Sequence, residues 1–181
     1  MKSLALCSVL LTCIPSAGTK RLSCPARMTE HRSFAAAAPS DALVSADYAW
    51  PLEDLNGKKV MLSDLSANVT LVNFWATWCH YCVEELPSLQ HLYDQTKNDP
   101  SIRIVLVTDE DPATVKQFMA AHHYTLPVYV VRSYQDVPAS FAVQAFPTTV
   151  ILFKKLSLVV RRVGATQWDA PQLIDLLRKQ E

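Results

Sequence analysis

The segment from Val69 to Thr96 constrains the fold more than any other part of the sequence. It begins with the apolar run VTLVNFW, continues through two cysteines three residues apart, Cys79 and Cys82, and then carries apolar residues at three- and four-residue steps. A short, nearly continuous apolar run is typical of a strand buried on both faces of a sheet. The later spacing is typical of an amphipathic helix. The sequence therefore predicts a buried strand that leads directly into a helix opened by Cys-x-x-Cys.

The rest of the chain continues this alternation of strands and helices. The Asn56-Gly57 pair between apolar flanks predicts a β-hairpin, and Asp169 is the predicted N-cap of a closing helix, WDAPQLIDLLRK. The other predicted elements are strands at Ile102–Thr108, Pro127–Val131, Thr148–Phe153 and Leu156–Val163, and helical pieces at Pro112–Ala121 and around Val137–Val143. This order predicts an α/β fold with a mixed central sheet flanked by helices.

Composition limits the class of partner. The chain has 181 residues, half of them hydrophobic, which suits one globular domain with a core of its own. From Ser40 onward there are 12 basic and 16 acidic side chains, a net charge of −4 without a Lys/Arg stripe. Because nucleic-acid binding begins with neutralisation of phosphates, we expect no nucleic-acid partner.

The N-terminus carries a separate signal. Leu4–Ile14 is an apolar run of 11 residues after Lys2, too short to span a bilayer and of the size of a signal-peptide core. Three other interpretations stay open: a lipid-modified Cys13, an organelle transit peptide, and a translation start at Met28. We expect export, with this division of the chain: 1–18 signal peptide or membrane anchor, 19–40 flexible linker, 41–181 folded domain.

The cysteine pair itself favours redox chemistry. At a helix N-terminus, unpaired N–H groups and the positive end of the helix dipole stabilise a Cys79 thiolate, and Cys82 lies one turn later, where it can attack a mixed disulfide. A zinc site needs two more ligands, and His80, His91 and the His122-His123 pair are not spaced to supply them. A staple closing so small a loop would stabilise little. We therefore expect a redox couple without metal or cofactor.

Several motifs in the same order resemble one family. VNFWATWCHYCVEELP closely resembles the active-site segment of the TlpA/ResA/CcmG-like thioredoxin family, which contains exported and often membrane-tethered thiol–disulfide oxidoreductases. PLEDLNGKKVMLSDL resembles that family's N-terminal hairpin and short helix, FPTTVIL resembles its cis-proline loop, and Gly164 stands where it has a glycine after the last strand. The similarity runs from about Asp47 to the C-terminus. It implies a thioredoxin-like fold with an N-terminal hairpin extension.

The resemblance also implies catalytic roles. Cys79 is the expected exposed nucleophile and Cys82 the expected buried resolving thiol. Asn73 occupies the position of the buried Asp of thioredoxins proper, and an asparagine cannot carry a proton. Glu85, three residues after Cys82, matches the acid that exchanges the Cys82 proton in the TlpA-like branch, whereas Glu84 is expected to face water.

Around the cysteines, the resemblance implies residues that bind substrate and residues that tune the reduction potential. Pro147 is the expected cis-proline, and the backbone before it would offer strand-like hydrogen bonds to an extended substrate. His80 and Tyr81 differ from the family's common residue pairs, and Ala145 stands where many relatives have Gly. We expect Trp75 to pack in the core. The expected substrate-binding residues are Trp78, Phe146, Pro147 and Thr148.

The expected activity is reduction of protein disulfides outside the cytoplasm, a task that in this family often serves cytochrome c maturation. The expected partners are protein thiols and disulfides and a membrane thiol transporter that donates electrons. The protein is expected to be a monomer in the periplasm, or anchored to the membrane through its N-terminus and facing the periplasm. Two alternatives stay open: an oxidase or isomerase that uses the same cysteines, and a copper-handling chaperone of the thioredoxin fold.

Overall fold

The computed structural model describes residues 48–154 and 158–179. The predicted signal or anchor segment (1–18) and linker (19–40) lie outside the described residues, as do residues 41–47, 155–157 and 180–181 of the predicted domain. Within the described ranges, no helix is both long and apolar enough to cross a bilayer.

A β-hairpin and a short helix open the fold, as the sequence predicts. β1 (Pro51–Asp54) pairs antiparallel with β2 (Lys59–Met61), and α1 (Leu62–Leu65) follows. The Asp54 carboxylate accepts hydrogen bonds from two backbone N–H groups of the turn, at 2.8 and 3.0 Å. Gly57 has a φ of 85°, a conformation that a Cβ atom would disfavour.

The described strands form one mixed sheet. The other strands are β3 (Val69–Phe74), β4 (Ile102–Thr108), β5 (Val128–Val130), β6 (Thr148–Phe153) and β7 (Leu158–Val163). Their order is β2-β1-β5-β4-β3-β6-β7. The central β3 pairs parallel with β4 and antiparallel with β6, and all six of its residues are buried. The predicted fold class and the predicted strand buried on both faces are confirmed.

Two apolar cores cover the two faces of this sheet. Because successive side chains of a strand point to opposite faces, Leu71 joins one core and Val72 the other. The three longer helices, which pack into the Leu71 core, are α2 (His80–Thr96), α3 (Pro112–Ala121) and α4 (Pro171–Arg178). The Val72 core is closed by side chains from outside those helices, including Trp50, Leu62 and Phe141.

The predicted N-cap of the last helix is wrong. α4 begins at Pro171, its N-cap is Ala170, and no side chain caps it. Proline suits the first turn of a helix because its missing N–H needs no partner there. The Asp169 carboxylate instead lies 3.0 Å from Nδ1 of His91 on α2, so Asp169 joins the two segments rather than starting the helix.

Two short 3₁₀ helices, rather than one helical piece around Val137–Val143, precede β6. They span Tyr134–Asp136 and Ala139–Phe141. Pro138 lies between them, and a proline disfavours the helical conformation of the residue before it. Val137 is accordingly extended, with ψ of 133°, and a single continuous helix cannot form.

Candidate active site

Cys79 and Cys82 form a disulfide where the central strand leads into α2, with Cα atoms 5.2 Å apart. A turn closed by the hydrogen bond from Cys79 N–H to the Ala76 carbonyl, 3.2 Å long, joins β3 to the helix. Cys79 is the N-cap of α2, and its sulfur accepts a hydrogen bond from the Cys82 N–H at 3.2 Å. A sulfur at this position faces the unpaired N–H groups of the first turn, which stabilise a thiolate.

The two cysteine residues differ in exposure, but less than the sequence predicts. Cys79 is 7% exposed and Cys82 is fully buried. The predicted order of exposure is therefore confirmed, while the prediction of an exposed Cys79 is wrong for the disulfide form. The reason is that the sulfur of Cys79 is bonded to one that belongs to the core.

Glu85 lies one turn after Cys82 and is buried, with 3% of its surface exposed. Its Oε1 accepts a hydrogen bond from Asn73 Nδ2 of β3 at 2.7 Å. Its Oε2 accepts two more, from Thr166 N–H at 3.1 Å and from Trp168 Nε1 at 3.0 Å. Burial raises the pKa of the Glu85 carboxyl, and the hydrogen bonds from Trp168, Asn73 and Thr166 act in the opposite direction.

The neighbouring Glu84 has the opposite environment. Its side chain is 52% exposed and lies 3.1 Å from Nε2 of His80, which is also exposed. The prediction that Glu84 faces water is confirmed, whereas Glu85 is buried. Helical spacing separates these two adjacent residues, because only one of them lies on the face that packs against the sheet.

The Phe146–Pro147 peptide bond is cis, as the resemblance implies. The Pro147 carbonyl accepts a hydrogen bond from Gly164 N–H at 2.8 Å, and Gly164 has a φ of 91°, in the region that favours glycine. Thr148 is buried, and its hydroxyl donates to the Ala145 carbonyl at 2.6 Å. The Thr148 side chain thus holds the loop together and does not present its hydroxyl at the surface.

Aromatic side chains surround the disulfide. Trp78 is 69% exposed and Tyr81 61% exposed. The ring of Trp78 meets that of half-buried Phe146 edge to face, with centroids 5.7 Å apart, so the cysteine turn and the cis-proline loop touch through these rings. Trp75 is fully buried in the core, as predicted. Large solvent-exposed aromatic rings beside a disulfide are suited to contact a partner molecule.

Two residues that the sequence analysis misses fix the turn before Cys79. The Glu110 carboxylate accepts hydrogen bonds from the backbone N–H and the hydroxyl of Thr77, both 2.6 Å long. The Tyr134 hydroxyl lies 2.8 Å from the carbonyl oxygen of Trp75. Glu110 is 33 residues from Thr77 in sequence. The one sequence feature that could have pointed to this contact is that Glu110 follows the end of β4, the strand that pairs with β3.

Among the residues that the structure describes, no three His, Cys, Asp or Glu side chains are grouped closely enough to hold a metal ion. His80 is engaged with Glu84, and His91 with Asp169. The site brings together two sulfurs, a buried carboxyl and an aromatic rim.

A mixed sheet of this order, with a Cys-x-x-Cys disulfide at the start of the helix after the central strand and a cis-proline loop, is the architecture of a thioredoxin-fold protein. The chain belongs to the Redoxin family, whose sequence profile matches residues 33–176. The resemblance to TlpA/ResA/CcmG-like thioredoxins is confirmed by the relatives described next.

Similar proteins come from several bacteria. The thiol-disulfide oxidoreductase ResA of Bacillus anthracis is 32% identical over 111 residues, which are 61% of this chain and 64% of that relative. The chain thus spans just under two thirds of this relative's length. The thioredoxin-like protein YneN of Bacillus subtilis is 30% identical over 128 residues, covering 69% of this chain and 74% of YneN. A solved structure of a thioredoxin from Neisseria meningitidis is 28% identical, with a TM-score of 0.59 and coverage of 73% and 87%.

Glu110→Ala should loosen the turn before Cys79. We expect the Thr77 amide proton to exchange with solvent at least about tenfold faster, because it loses a hydrogen bond to a charged acceptor. Hydrogen exchange followed by NMR measures this. Glu110→Gln is the matched control, since its amide oxygen can still accept from Thr77 N–H and its NH₂ can donate to the Thr77 hydroxyl. Equal protection in wild type and Glu110→Ala would show that the carboxylate does not hold the turn.

Glu85→Gln should remove a pH-dependent part of the stability. Because burial raises the pKa of Glu85, the folded chain binds this proton more tightly than the unfolded chain does. The wild type therefore loses stability as the pH rises from the ordinary glutamate pKa through the raised folded value, and below that window the two states are protonated alike. Urea unfolding of the disulfide form is measured from about pH 4 to about pH 8. The free energy of unfolding of Glu85→Gln should increase relative to that of the wild type as the pH rises.

The exposed neighbour supplies the control for this experiment. For Glu84→Gln, the free energy of unfolding should not increase comparably relative to the wild type across the same pH window, because Glu84 is half exposed to water. A stability difference between Glu85→Gln and wild type that stays constant with pH would contradict the assignment of a raised pKa to Glu85.

Proposed function

We propose that this protein is a thiol–disulfide oxidoreductase that cycles between the Cys79/Cys82 dithiol and the Cys79–Cys82 disulfide. The observation that carries the proposal is the position of this disulfide at the N-terminus of α2, with Cys79 at the N-cap and Cys82 fully buried. The ResA relatives, which are named as thiol-disulfide oxidoreductases, support it.

The cycle balances two electrons. In the reduced protein, the Cys79 thiolate attacks one sulfur of a substrate disulfide, the substrate S–S bond breaks, and one substrate thiol leaves with a proton. The Cys82 thiolate then attacks the Cys79 sulfur of the mixed disulfide. The second substrate thiol leaves, and the Cys79–Cys82 bond forms. The substrate is reduced and the protein is oxidised.

Glu85 is proposed to handle the proton of Cys82. The Cys82 thiol is buried and must lose its proton before it attacks, since the thiolate is the nucleophile. Glu85, three residues later on α2, is a buried carboxyl whose pKa is raised by that burial, so it exchanges protons closer to neutral pH than an exposed glutamate does. Asn73 cannot perform this step and instead donates a hydrogen bond to Glu85.

The aromatic rim is proposed to bind an extended protein segment around the substrate cysteine. Trp78 and Tyr81 offer exposed ring surface, and Phe146 lies against Trp78 with the cis peptide directly after it. The backbone of Phe146 would pair with the substrate as a strand does. Pro147 and Thr148 then serve to hold this loop, since both are buried.

Reduction of substrates is the proposed direction. A buried carboxylate near the cysteines disfavours further negative charge there, which disfavours thiolates and hence favours the disulfide of this protein. The Glu84 carboxylate, 3.1 Å from His80, offsets the charge that a protonated His80 would place beside Cys79. Both effects make the pair a better electron donor, and His80 and Tyr81 are proposed to tune its potential.

The proposed setting is outside the cytoplasm of a bacterium. The apolar run Leu4–Ile14 supports export or anchoring in a membrane facing the periplasm. There, a monomer of this protein would receive electrons from a membrane thiol transporter and pass them to protein disulfides, including those formed in apocytochrome c during its maturation.

Single cysteine substitutions should separate the two sulfurs' roles. Cys79→Ser should abolish reduction of insulin disulfides in the presence of dithiothreitol, because the proposed attacking thiolate at the helix N-terminus is removed. Cys82→Ser should accumulate a mixed disulfide with substrate, detected by intact mass, because the resolving attack is missing.

A background in which Cys7, Cys13 and Cys24 are serine is needed as control, so that the measured thiols are those of the pair. That background should retain wild-type activity. Reduction of insulin by Cys79→Ser at the wild-type rate would sink the proposed function.

A further inference from the structure

The segment after the last strand lies along α2 beside Glu85. Thr166 N–H and Trp168 Nε1 both donate to Glu85 Oε2, at 3.1 and 3.0 Å. The backbone N–H of Trp168 donates to the Ser88 hydroxyl at 3.1 Å, and that hydroxyl donates to the Glu85 carbonyl at 2.9 Å. Side-chain and backbone bonds thus hold this segment and Glu85 in one fixed arrangement.

The indole of Trp168 has little freedom to turn away. Trp168 is 1% exposed and packs in the core formed with α2, where Leu86 and Leu89 are fully buried. A buried indole N–H without a partner would cost free energy. Its hydrogen bond to a carboxylate, by contrast, is stronger than one to a neutral acceptor.

We infer that Trp168 is a positioning residue for proton exchange at Glu85, whose indole N–H anchors Oε2 and leaves Oε1 as the oxygen that takes the proton. The inference rests on the proposed role of Glu85. It assigns to the segment after β7 a part in the chemistry, although this segment lies more than 80 residues from Glu85 in sequence.

The hydrogen bonds distinguish the two oxygens. Oε2 accepts from two N–H donors, so a proton placed there would occupy a lone pair that now accepts one of these bonds. Oε1 faces only the Asn73 amide, whose Oδ1 is buried and has no hydrogen-bond partner among the residues that the structure describes. Rotation of the Asn73 amide by half a turn would place Oδ1 where it accepts a hydrogen bond from a protonated Oε1. In this orientation Oδ1 can also accept from the Thr149 hydroxyl, whose oxygen in the present structure accepts from Asn73 Nδ2 at 2.8 Å.

The groups that face Glu85 from the surrounding elements are neutral. They are Asn73 of β3 and Thr166 and Trp168 of the final segment, and Thr149 of β6 is the other hydrogen-bond partner of Asn73. On α2 itself, Cys82 lies on the buried side, Tyr93 is partly buried further along the helix, and Glu84 faces water. Asp169, next to Trp168, pairs with His91 of α2 at 3.0 Å. A titration that is felt at the Trp168 indole in the disulfide form, where Cys82 does not ionise, and that Glu85→Gln abolishes therefore reports Glu85.

The first test is an NMR titration of the disulfide form labelled with ¹⁵N-tryptophan. The sequence has four tryptophans, and the Trp168 indole signal should shift with pH around a single midpoint above the ordinary glutamate value. Glu85→Gln should abolish that shift. The Trp75 indole, buried and without a hydrogen-bond partner in the described part of the chain, should not follow this midpoint. A Trp168 signal that does not titrate in the wild type would overturn the inference without any destabilising variant.

The second test is kinetic. The reduced protein is mixed with 5,5′-dithiobis(2-nitrobenzoate), and the second thiolate released reports the attack of Cys82 on the mixed disulfide. Trp168→Phe should move the pH midpoint of this step upward by about one unit, because the carboxylate loses a donor. Trp75→Phe, which removes an equally buried indole, should leave the midpoint in place. An unmoved midpoint in folded Trp168→Phe would overturn the inference.

Failure of the proposed role of Glu85 would look different. In that case Glu85→Gln would resolve the mixed disulfide with the wild-type pH profile, even though the Trp168 indole signal of the wild type titrated as expected. The contact and the chemistry are thus tested by separate readouts.

Discussion

A carboxyl group buried without a cationic partner is stable only when hydrogen bonds replace its lost water, and the Glu85 carboxyl meets this requirement with three donors from two parts of the chain. Asn73 reaches it from the central strand, and Thr166 and Trp168 reach it from the segment after the last strand. This contact joins the central strand, α2 and the C-terminal segment at a position one turn after Cys82. Its geometry therefore depends on the whole sheet being correctly formed.

The opposite side of the disulfide is organised by backbone geometry rather than by a buried charge. The turn before Cys79 presents the sulfur to the first N–H groups of α2, and Glu110 and Tyr134 hold that turn from the end of β4 and the segment after β5. The cis-proline loop closes the surface through the contact between Trp78 and Phe146. One face of the cysteine pair is thus dry and acidic, and the other is open to a partner and aromatic.

Local pattern was sufficient for much of this architecture. The continuous apolar run of β3, the Asn-Gly turn and the helical spacing after Cys82 each specify an element by themselves, and helical spacing also separates buried Glu85 from exposed Glu84. The cis bond before Pro147 was accessible only through the family resemblance, since nothing in FPTTVIL by itself distinguishes cis from trans.

What the sequence could not predict depends on contacts between distant residues. The bond from Trp168 to Glu85 and the bonds from Thr77 to Glu110 join positions whose proximity exists only after the sheet has formed. The wrong N-cap at Asp169 has the same origin, because a tertiary contact with His91 competed with the local role. The low exposure of Cys79 follows from its bond to a core sulfur, which composition and spacing do not reveal.

The midpoint potential of the Cys79/Cys82 couple tests the account most directly. It is measured by thiol alkylation and intact mass across a series of dithiol/disulfide buffers, in a background with the other three cysteines changed to serine. We predict one reversible two-electron couple with a midpoint near or below that of thioredoxin, about −270 mV. A midpoint near that of DsbA, about −120 mV, would contradict the proposed direction of electron flow, and the absence of a reversible couple would contradict the redox function itself.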